Sequence, residues 1–171
     1  MSALRIALLD QSESAHSRQL EAALRAAGHE PYLVGASTVA ALEELLRRRG
    51  FTQALSHLPR AAADLLRGEF DVAHAFSATD ATAALPWRRM RGRPVVFTCT
   101  APLDRAGLAD GRLRLWTLAK AVEESDALVA PTDAIRISVE RWFACSPGLI
   151  AAADAAAHER LYRELLAQRR S

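Results

Sequence analysis

The sequence predicts an α/β fold, in which a mainly parallel sheet lies between two layers of helices in a three-layer, Rossmann-like α/β/α domain. The first observation is the opening unit. An apolar run at Leu4–Asp10 is followed by a loop, an amphipathic stretch to Ala27 and a second apolar run at Tyr32–Val34. The second observation is that apolar runs and helical stretches go on alternating through residue 143. Such alternation is typical of doubly wound sheets, which bind ligands at the carboxyl ends of their strands.

Each element follows from local patterning. The first helix has apolar residues at helical spacing from Leu20 and is expected to stop at Gly28. Pro59 is expected to interrupt a helical stretch, and Thr132 and Asp154 are the kinds of residue that cap helices. The remaining expected strands are 70–76, 94–100 and 126–130, and the remaining helices are 38–49, 52–67, 78–90, 113–124, 132–143 and one that begins at 154.

Length and charge limit the class of protein. The chain has 171 residues, enough for one domain with a full hydrophobic core and too few for two of ordinary size. Its net charge of +2 gives no reason to expect a nucleic-acid partner. We therefore expect one domain over residues 1–145, a linker over 146–153 that opens with a Ser-Pro-Gly breaker, and a helix over 154–171.

Cysteine usage and hydropathy exclude further classes. Cys99 and Cys145 are far apart and have no histidine at ligand spacing, so neither a metal site nor a disulfide framework is predicted. No apolar stretch is long enough to span a bilayer and no targeting segment opens the chain, which favours a cytoplasmic protein. Because no Gly-x-Gly-x-x-Gly fingerprint follows the first strand, we expect no nicotinamide or flavin cofactor, and no other cofactor is indicated.

Polar side chains follow three of the predicted strands, where this class of sheet binds ligands. They are Asp10, Ser12, Glu13, Ser14 and His16 after the first strand, Ser77 and Asp80 after the third, and Thr98, Thr100 and Arg105 at and after the end of the fourth. Their hydroxyls and carboxylates suit hydrogen bonds to sugar or polyol hydroxyls, and Arg105 suits an anionic acceptor group. Helix capping and surface ion pairing explain the same residues equally well. No catalytic residue is assigned, because no Ser, His and acid set has suitable spacing.

Two further features have both a structural and a functional interpretation. His74 lies inside an apolar strand, where a hydrogen-bonded core histidine is the favoured interpretation over a ligand-binding one. The segment Trp87–Arg93 joins an aromatic residue to four arginines, which suits contact with an anionic membrane surface. A solvated helix end is favoured over that contact, because arginines stabilise the carboxyl end of a helix.

Four segments carry a family likeness and occur in the family's order along the chain. They are Arg5–Leu9 with Leu24–Glu30, Phe70–Ser77, Pro94–Thr98 and Ser125–Ala130. Through them the chain resembles the N-terminal half of GT-B glycosyltransferases, specifically the retaining enzymes of family 4. Residues 157–166 resemble that family's final helix, which packs back on the N-terminal domain, so the sequence looks like a two-domain enzyme without its middle. An engineered truncation and a natural half-enzyme both fit.

The resemblance implies a function for half of an enzyme. In this family the N-terminal domain holds the acceptor, and a second domain holds the nucleotide sugar. The loops after Asp10, Phe76 and Thr98 would then hold a hydroxyl acceptor, and a donor-binding domain or subunit would complete the enzyme. We expect little or no turnover from the chain alone, because transfer needs both walls of the cleft.

Two departures favour a second interpretation. The segment after the first strand is not glycine-rich, and Thr100 stands where the family often places a histidine. A non-catalytic binding or assembly module with a glycosyltransferase-like fold is therefore the alternative. If the cleft face is uncovered, self-association would cover it, so we also expect a homodimer, which light scattering would test.

Overall fold

The computed structural model describes residues 2–10, 14–34, 61–103 and 112–169. Its strands form one six-stranded sheet in the order β2-β1-β3-β4-β5-β6, and every neighbouring pair is parallel. The strands are β1 (Arg5–Leu9), β2 (Glu30–Val34), β3 (Val72–Ala75), β4 (Val95–Thr98), β5 (Ala127–Ala130) and β6 (Gly148–Leu149). The predicted α/β, Rossmann-like class with a parallel sheet is confirmed.

Helices connect the strands as the alternation predicts. They are α1 (Ala15–Ala26), α2 (Ala78–Arg91), α3 (Arg112–Glu124), α4 (Asp133–Trp142) and α5 (Ala155–Gln168), and residues 61–67 are also helical. Thr132 and Asp154 cap α4 and α5 as expected, and Gly28 follows α1 at a φ of 84°, in the left-handed region that favours glycine. The helix expected over 38–49, Pro59 and the start of the 52–67 helix lie outside the described residues.

The sixth strand is a difference from the sequence analysis. Gly148 and Leu149 fall in the segment 146–153 expected to be a linker, yet they pair in parallel with Val129 and Ala130. A two-residue strand is too short to show an alternating pattern, so no local pattern indicates it. This segment therefore extends the sheet by one edge strand before the chain enters α5.

Both faces of the sheet are buried. On one face, apolar side chains of the strands pack against α2, α3 and α4 and against the helical residues 61–67, with Trp87 of α2 almost fully buried at 1 % exposure. On the other face, Ile6, Leu8, Val96 and Val129 pack against α1 and α5. Strands covered on both faces have continuous apolar sequences, which is why β3 and β4 have no exposed residue.

The C-terminal helix α5 is held on its face of the sheet by packing and by polar contacts at both ends. Tyr162, Leu165 and Leu166 are buried in the core. At its start, Glu159 lies 3.3 Å from Nε2 of His29. Past its end, the Arg169 guanidinium donates to the Asp126 carboxylate, at the amino end of β5. The helix is thus tied to elements from both halves of the sheet.

Within residues 2–10, 14–34, 61–103 and 112–169, no helix combines the length and the apolarity that crossing a bilayer requires.

Candidate functional site

Three neighbouring strands end at one edge of the sheet and bring the predicted site residues together. Because β1, β3 and β4 are adjacent and parallel, their carboxyl ends lie side by side. Asp10 follows β1, Ser77 follows β3, and Thr98 closes β4. Ser12, Glu13 and Arg105 lie outside the described residues. We refer to this region as the carboxyl edge.

Asp10 and Ser14 are engaged in capping. Oδ2 of Asp10 accepts hydrogen bonds from the backbone N and the Oγ of Ser14, at 2.7 and 2.6 Å. Oγ of Ser14 accepts in turn from the N of Ser17 at 3.3 Å, which makes Ser14 the N-cap of α1. The buried Asp10 carboxylate thus lies at the positive end of a helix, where negative charge is stabilised.

Ser77 and Asp80 form a second cap at the same edge. Oγ of Ser77 accepts from the N of Asp80 at 3.0 Å and donates to Oδ2 of Asp80 at 2.7 Å. Ser77 has extended backbone angles, as an N-cap residue does, and begins α2. Capping therefore occupies the side-chain oxygens of both Ser14 and Ser77.

Replacing Ser77 with alanine is expected to lower the free energy of unfolding by about 1 kcal/mol, because α2 loses its side-chain cap. Urea unfolding followed by circular dichroism measures the change. Thr82→Ser, inside α2, is the matched control, since it keeps the hydroxyl that donates to the carbonyl of Ala78. A Ser77→Ala variant as stable as the wild type would show that the cap contributes nothing.

Thr98 is part of a buried hydrogen-bonded chain. Its Oγ1 lies 2.6 Å from Nε2 of His74, and Nδ1 of His74 lies 2.6 Å from the hydroxyl of Tyr162 on α5. All three side chains are buried, and the His74 ring is stacked on Phe76 with centroids 4.7 Å apart. The expectation of a hydrogen-bonded core histidine describes His74 well. These two hydrogen bonds link α5 to the end of β4 through His74.

The protonation states in this chain are set by burial. Burial lowers the pKa of His74 well below its usual range, and repulsion from His158 and His16 lowers it further. Burial also raises the pKa of the Tyr162 phenol above its usual range. A neutral imidazole donates through one nitrogen and accepts through the other, so the chain has a direction. Either Tyr162 donates to Nδ1 and Nε2 donates to Thr98, or both hydrogen bonds run the other way.

Thr100 differs from Thr98 in being open to solvent. Its Oγ1 lies 3.5 Å from the carbonyl of Phe76, at the limit of a hydrogen bond, and its side chain is exposed at the carboxyl edge. The residue that stands in place of the family's histidine is therefore placed where a ligand could reach it. A hydroxyl there can donate or accept one hydrogen bond, but it cannot take up a proton at neutral pH as an imidazole can.

The arginines of the Trp87–Arg93 segment are already engaged. Arg88 makes two 2.7 Å hydrogen bonds to the Asp126 carboxylate, and Arg89 approaches Glu124 at 2.5 Å. Arg91 donates to the carbonyl of Leu66 at 2.8 Å. Trp87 itself is buried in the core. These contacts support the interpretation as a helix end over contact with a membrane surface.

Two residues of α5 that the sequence analysis did not assign to a site lie beside His74. Tyr162 donates to or accepts from its ring, and the ring centroid of His158 lies 5.3 Å from that of His74. The available signal was their spacing: residues 158 and 162 fall on the apolar face of α5, where polar side chains need partners. In the described ranges, no group of His, Cys, Asp and Glu side chains is arranged to hold a metal ion.

The fold and the edge geometry define a Rossmann-like domain of the GT-B glycosyltransferase type. Residues 14–152 match the model of Glycosyltransferase Family 4. The chain belongs to this family, and its 171 residues fit an N-terminal half-domain. A solved structure of sucrose-phosphate synthase from Thermosynechococcus elongatus has a similar fold, with a TM-score of 0.65 and 18 % identity over 94 % of this chain and 98 % of that one. No curated protein matches the sequence.

Proposed function

We propose that the chain is the acceptor-side half of a glycosyltransferase, which transfers a sugar from a nucleotide sugar to a hydroxyl acceptor. The observation that carries this proposal is the juxtaposition of polar residues at the carboxyl edge in a chain that belongs to family 4. In a doubly wound sheet this edge is where ligands bind. Thr100, which is exposed at this edge, would contact an acceptor hydroxyl.

The chain alone is inactive in this proposal. Transfer requires donor and acceptor to be held in a near-attack arrangement, which takes both walls of a cleft. The donor would be held by a second domain or subunit, and the carboxyl edge would face it. The self-association and the cytoplasmic location expected from the sequence remain predictions that accompany this proposal.

Calorimetric titration of the folded protein with a panel of nucleotide sugars and their free nucleotides tests whether the donor site lies outside this chain. We expect no saturable heat, because the donor site belongs to the other half. Retention of the cooperative thermal transition in the same sample shows that the protein is folded. Saturable binding of any nucleotide sugar would overturn the assignment to the acceptor side.

Ligand-observed NMR with a panel of monosaccharides and polyols tests the acceptor site itself. We expect weak binding that Thr100→Val reduces severalfold, since it removes an exposed hydroxyl at the carboxyl edge. Thr82→Val removes a hydroxyl in the middle of α2 and is the matched control, which should leave binding unchanged. Equal effects of the two substitutions would argue against a site at this edge.

A non-catalytic binding or assembly module is the second candidate function. It is favoured by the threonine at position 100 and by the use of Asp10, Ser14 and Ser77 in helix caps. This candidate predicts that no sugar or polyol binds at the carboxyl edge. A negative result in the monosaccharide and polyol experiment, from protein shown to be folded, would therefore support it over the acceptor-side function.

A further inference from the structure

Three imidazoles from three different elements gather between the sheet and its covering helices. His74 is on β3, His158 is on α5 and His16 is in the first turn of α1. His74 and His158 are 0 % and 2 % exposed, and their ring centroids are 5.3 Å apart. His16 is close enough for its charge to act on both of them.

Little in the surroundings would stabilise positive charge on these rings. Both His74 nitrogens are bound to hydroxyls, and Phe76 stacks on its face. Among the described residues, neither ring nitrogen of His158 has a partner with normal hydrogen-bond geometry, and the same holds for Nε2 of His16. The carbonyl of Ala151 nevertheless lies near enough to His158 to favour its protonated form in part.

The acidic groups nearby are engaged elsewhere. Asp154 acts on His158 with a favourable charge, but its carboxylate caps α5 by accepting from the N of Ala157 at 3.0 Å. Glu159 follows His158 along the helix, yet it pairs with His29 and Arg163. If two rings of the cluster are protonated, the second positive charge therefore lies beside the other imidazoles and the neutral Tyr162.

We propose that His16, His74 and His158 form an acid-sensitive clasp, which holds α5 on the sheet at neutral pH and releases it on acidification. When the imidazoles are neutral, the rings of His74 and His158 pack together, and the Tyr162–His74–Thr98 chain joins α5 to β4. When they are protonated, repulsion and the cost of burying charge act across the contact between α1, β3 and α5. Separation of α5 lets water reach His158 and Tyr162.

The pH range follows from the sign of the linkage. Burial lowers the pKa of His158 to about 4 and outweighs the Ala151 carbonyl and the Asp154 charge, which raise it, while the His16 charge lowers it slightly further. An exposed histidine has a pKa of about 6.5. Between this pKa and the lower pKa of the docked state, the released state binds more protons, so its population relative to the docked state rises as the pH falls. For His158 alone, this raises the equilibrium constant for release about twentyfold between pH 7 and pH 5. Protonation of His74 adds in the same direction.

Release of α5 has an effect at the carboxyl edge as well. Thr98 is hydrogen-bonded to His74, which is hydrogen-bonded to Tyr162 of α5, so opening the clasp breaks this link to the end of β4. The docking of α5 and the position of the strand end that precedes Thr100 are therefore coupled. This coupling does not depend on the proposed function, because it arises from contacts within this protein and involves no ligand.

Hydrogen–deuterium exchange of the full chain at pH 7 and pH 5, corrected for intrinsic exchange rates, tests the clasp. We expect peptides from residues 155–168 to exchange about twentyfold faster at pH 5, while peptides from β1, β3 and β4 stay protected. Equal protection of α5 at both pH values would overturn the proposal. Simultaneous loss of protection in α5 and in the strands would also overturn it, since it would mean global unfolding.

His158→Phe removes the titrating group and keeps a ring against His74 and Tyr162. We expect the acid response of α5 to shrink to a few-fold in this variant. His29→Gln is the matched control, because it removes the histidine that pairs with α5 outside the cluster and should keep the acid response. An unchanged response in His158→Phe would contradict the clasp.

If His158→Phe does not fold, histidine ring-proton NMR of the wild-type protein tests the proposal instead. We expect the His158 resonance of the docked state to stay in its neutral position down to about pH 5. Ordinary titration near pH 6.5 in a protein whose α5 remains protected would overturn the proposal.

Discussion

Replacing Tyr162 with alanine is expected to lower the free energy of unfolding by about 4 kcal/mol, among the largest effects of a single substitution in this chain. Tyr162 is fully buried, so the substitution leaves a cavity between α5 and the sheet. It also leaves Nδ1 of His74 without the hydroxyl that lies 2.6 Å away. Cavity formation and an unpaired buried nitrogen destabilise in the same direction. Urea unfolding at pH 7.5, above the pH range of the acid response described for α5, measures the change.

Two variants separate the contributions of the ring and the hydroxyl of Tyr162. Tyr162→Phe keeps the packing and removes the hydroxyl, so we expect a loss of about 2 kcal/mol. Leu161→Ala, at the neighbouring half-buried position, is the matched control and is expected to cost about 1 kcal/mol. A Tyr162→Ala variant no less stable than the control would show that α5 contributes little to the fold.

Replacing Asp126 with alanine is expected to lower the free energy of unfolding by about 3 kcal/mol. Its carboxylate accepts two hydrogen bonds from Arg88, one from the backbone N of Val95 at 2.9 Å and one from Arg169. Removing it leaves a partly buried guanidinium and a backbone donor without an acceptor, and it frees the end of α5. Thermal unfolding at pH 7 measures the loss.

The control for Asp126 is a nearby carboxylate that accepts fewer hydrogen bonds. Glu124 pairs with Arg89 and Lys120 at partly exposed positions near the surface, so Glu124→Ala is expected to cost about 0.5 kcal/mol. Burial raises the pKa of Asp126, but hydrogen bonds from Arg88, Val95 and Arg169 outweigh it and hold the pKa below its usual range. Its contribution is therefore complete above pH 4 and is lost only as the pH falls further, below the range of the histidine response. Equal effects of the two substitutions would contradict the role given to Asp126.

Local patterning predicted most of the fold because the local signals agree with the tertiary structure. The apolar runs of β1, β3 and β4 are buried on both faces, and Thr132 and Asp154 cap helices as their positions indicate. Strand ends were predicted one or two residues too long, because the apolar residues Phe70 and Phe76 flank the strand Val72–Ala75 without belonging to it. The short β6 gave no periodic signal at all.

The arrangement of the carboxyl edge was predictable only in outline. Parallel topology places Asp10, Ser77 and Thr98 at one edge, and sequence reasoning could reach that far. It could not decide between capping and ligand binding, because both use the same atoms of Ser14 and Ser77. The partner of His74 lies 88 residues away on α5, and no local pattern specifies a contact of that range.

The order of the elements along the chain has a consequence for biosynthesis. Ile6, Leu8, Val96 and Val129 form a sheet face that α1 covers only in part, and the rest is covered by a helix that begins at residue 155. A nascent chain therefore cannot cover this part of the face until residues 155–168 have left the ribosome. Native packing of the face must wait for that moment, and a chain stalled before it would be a client for chaperones.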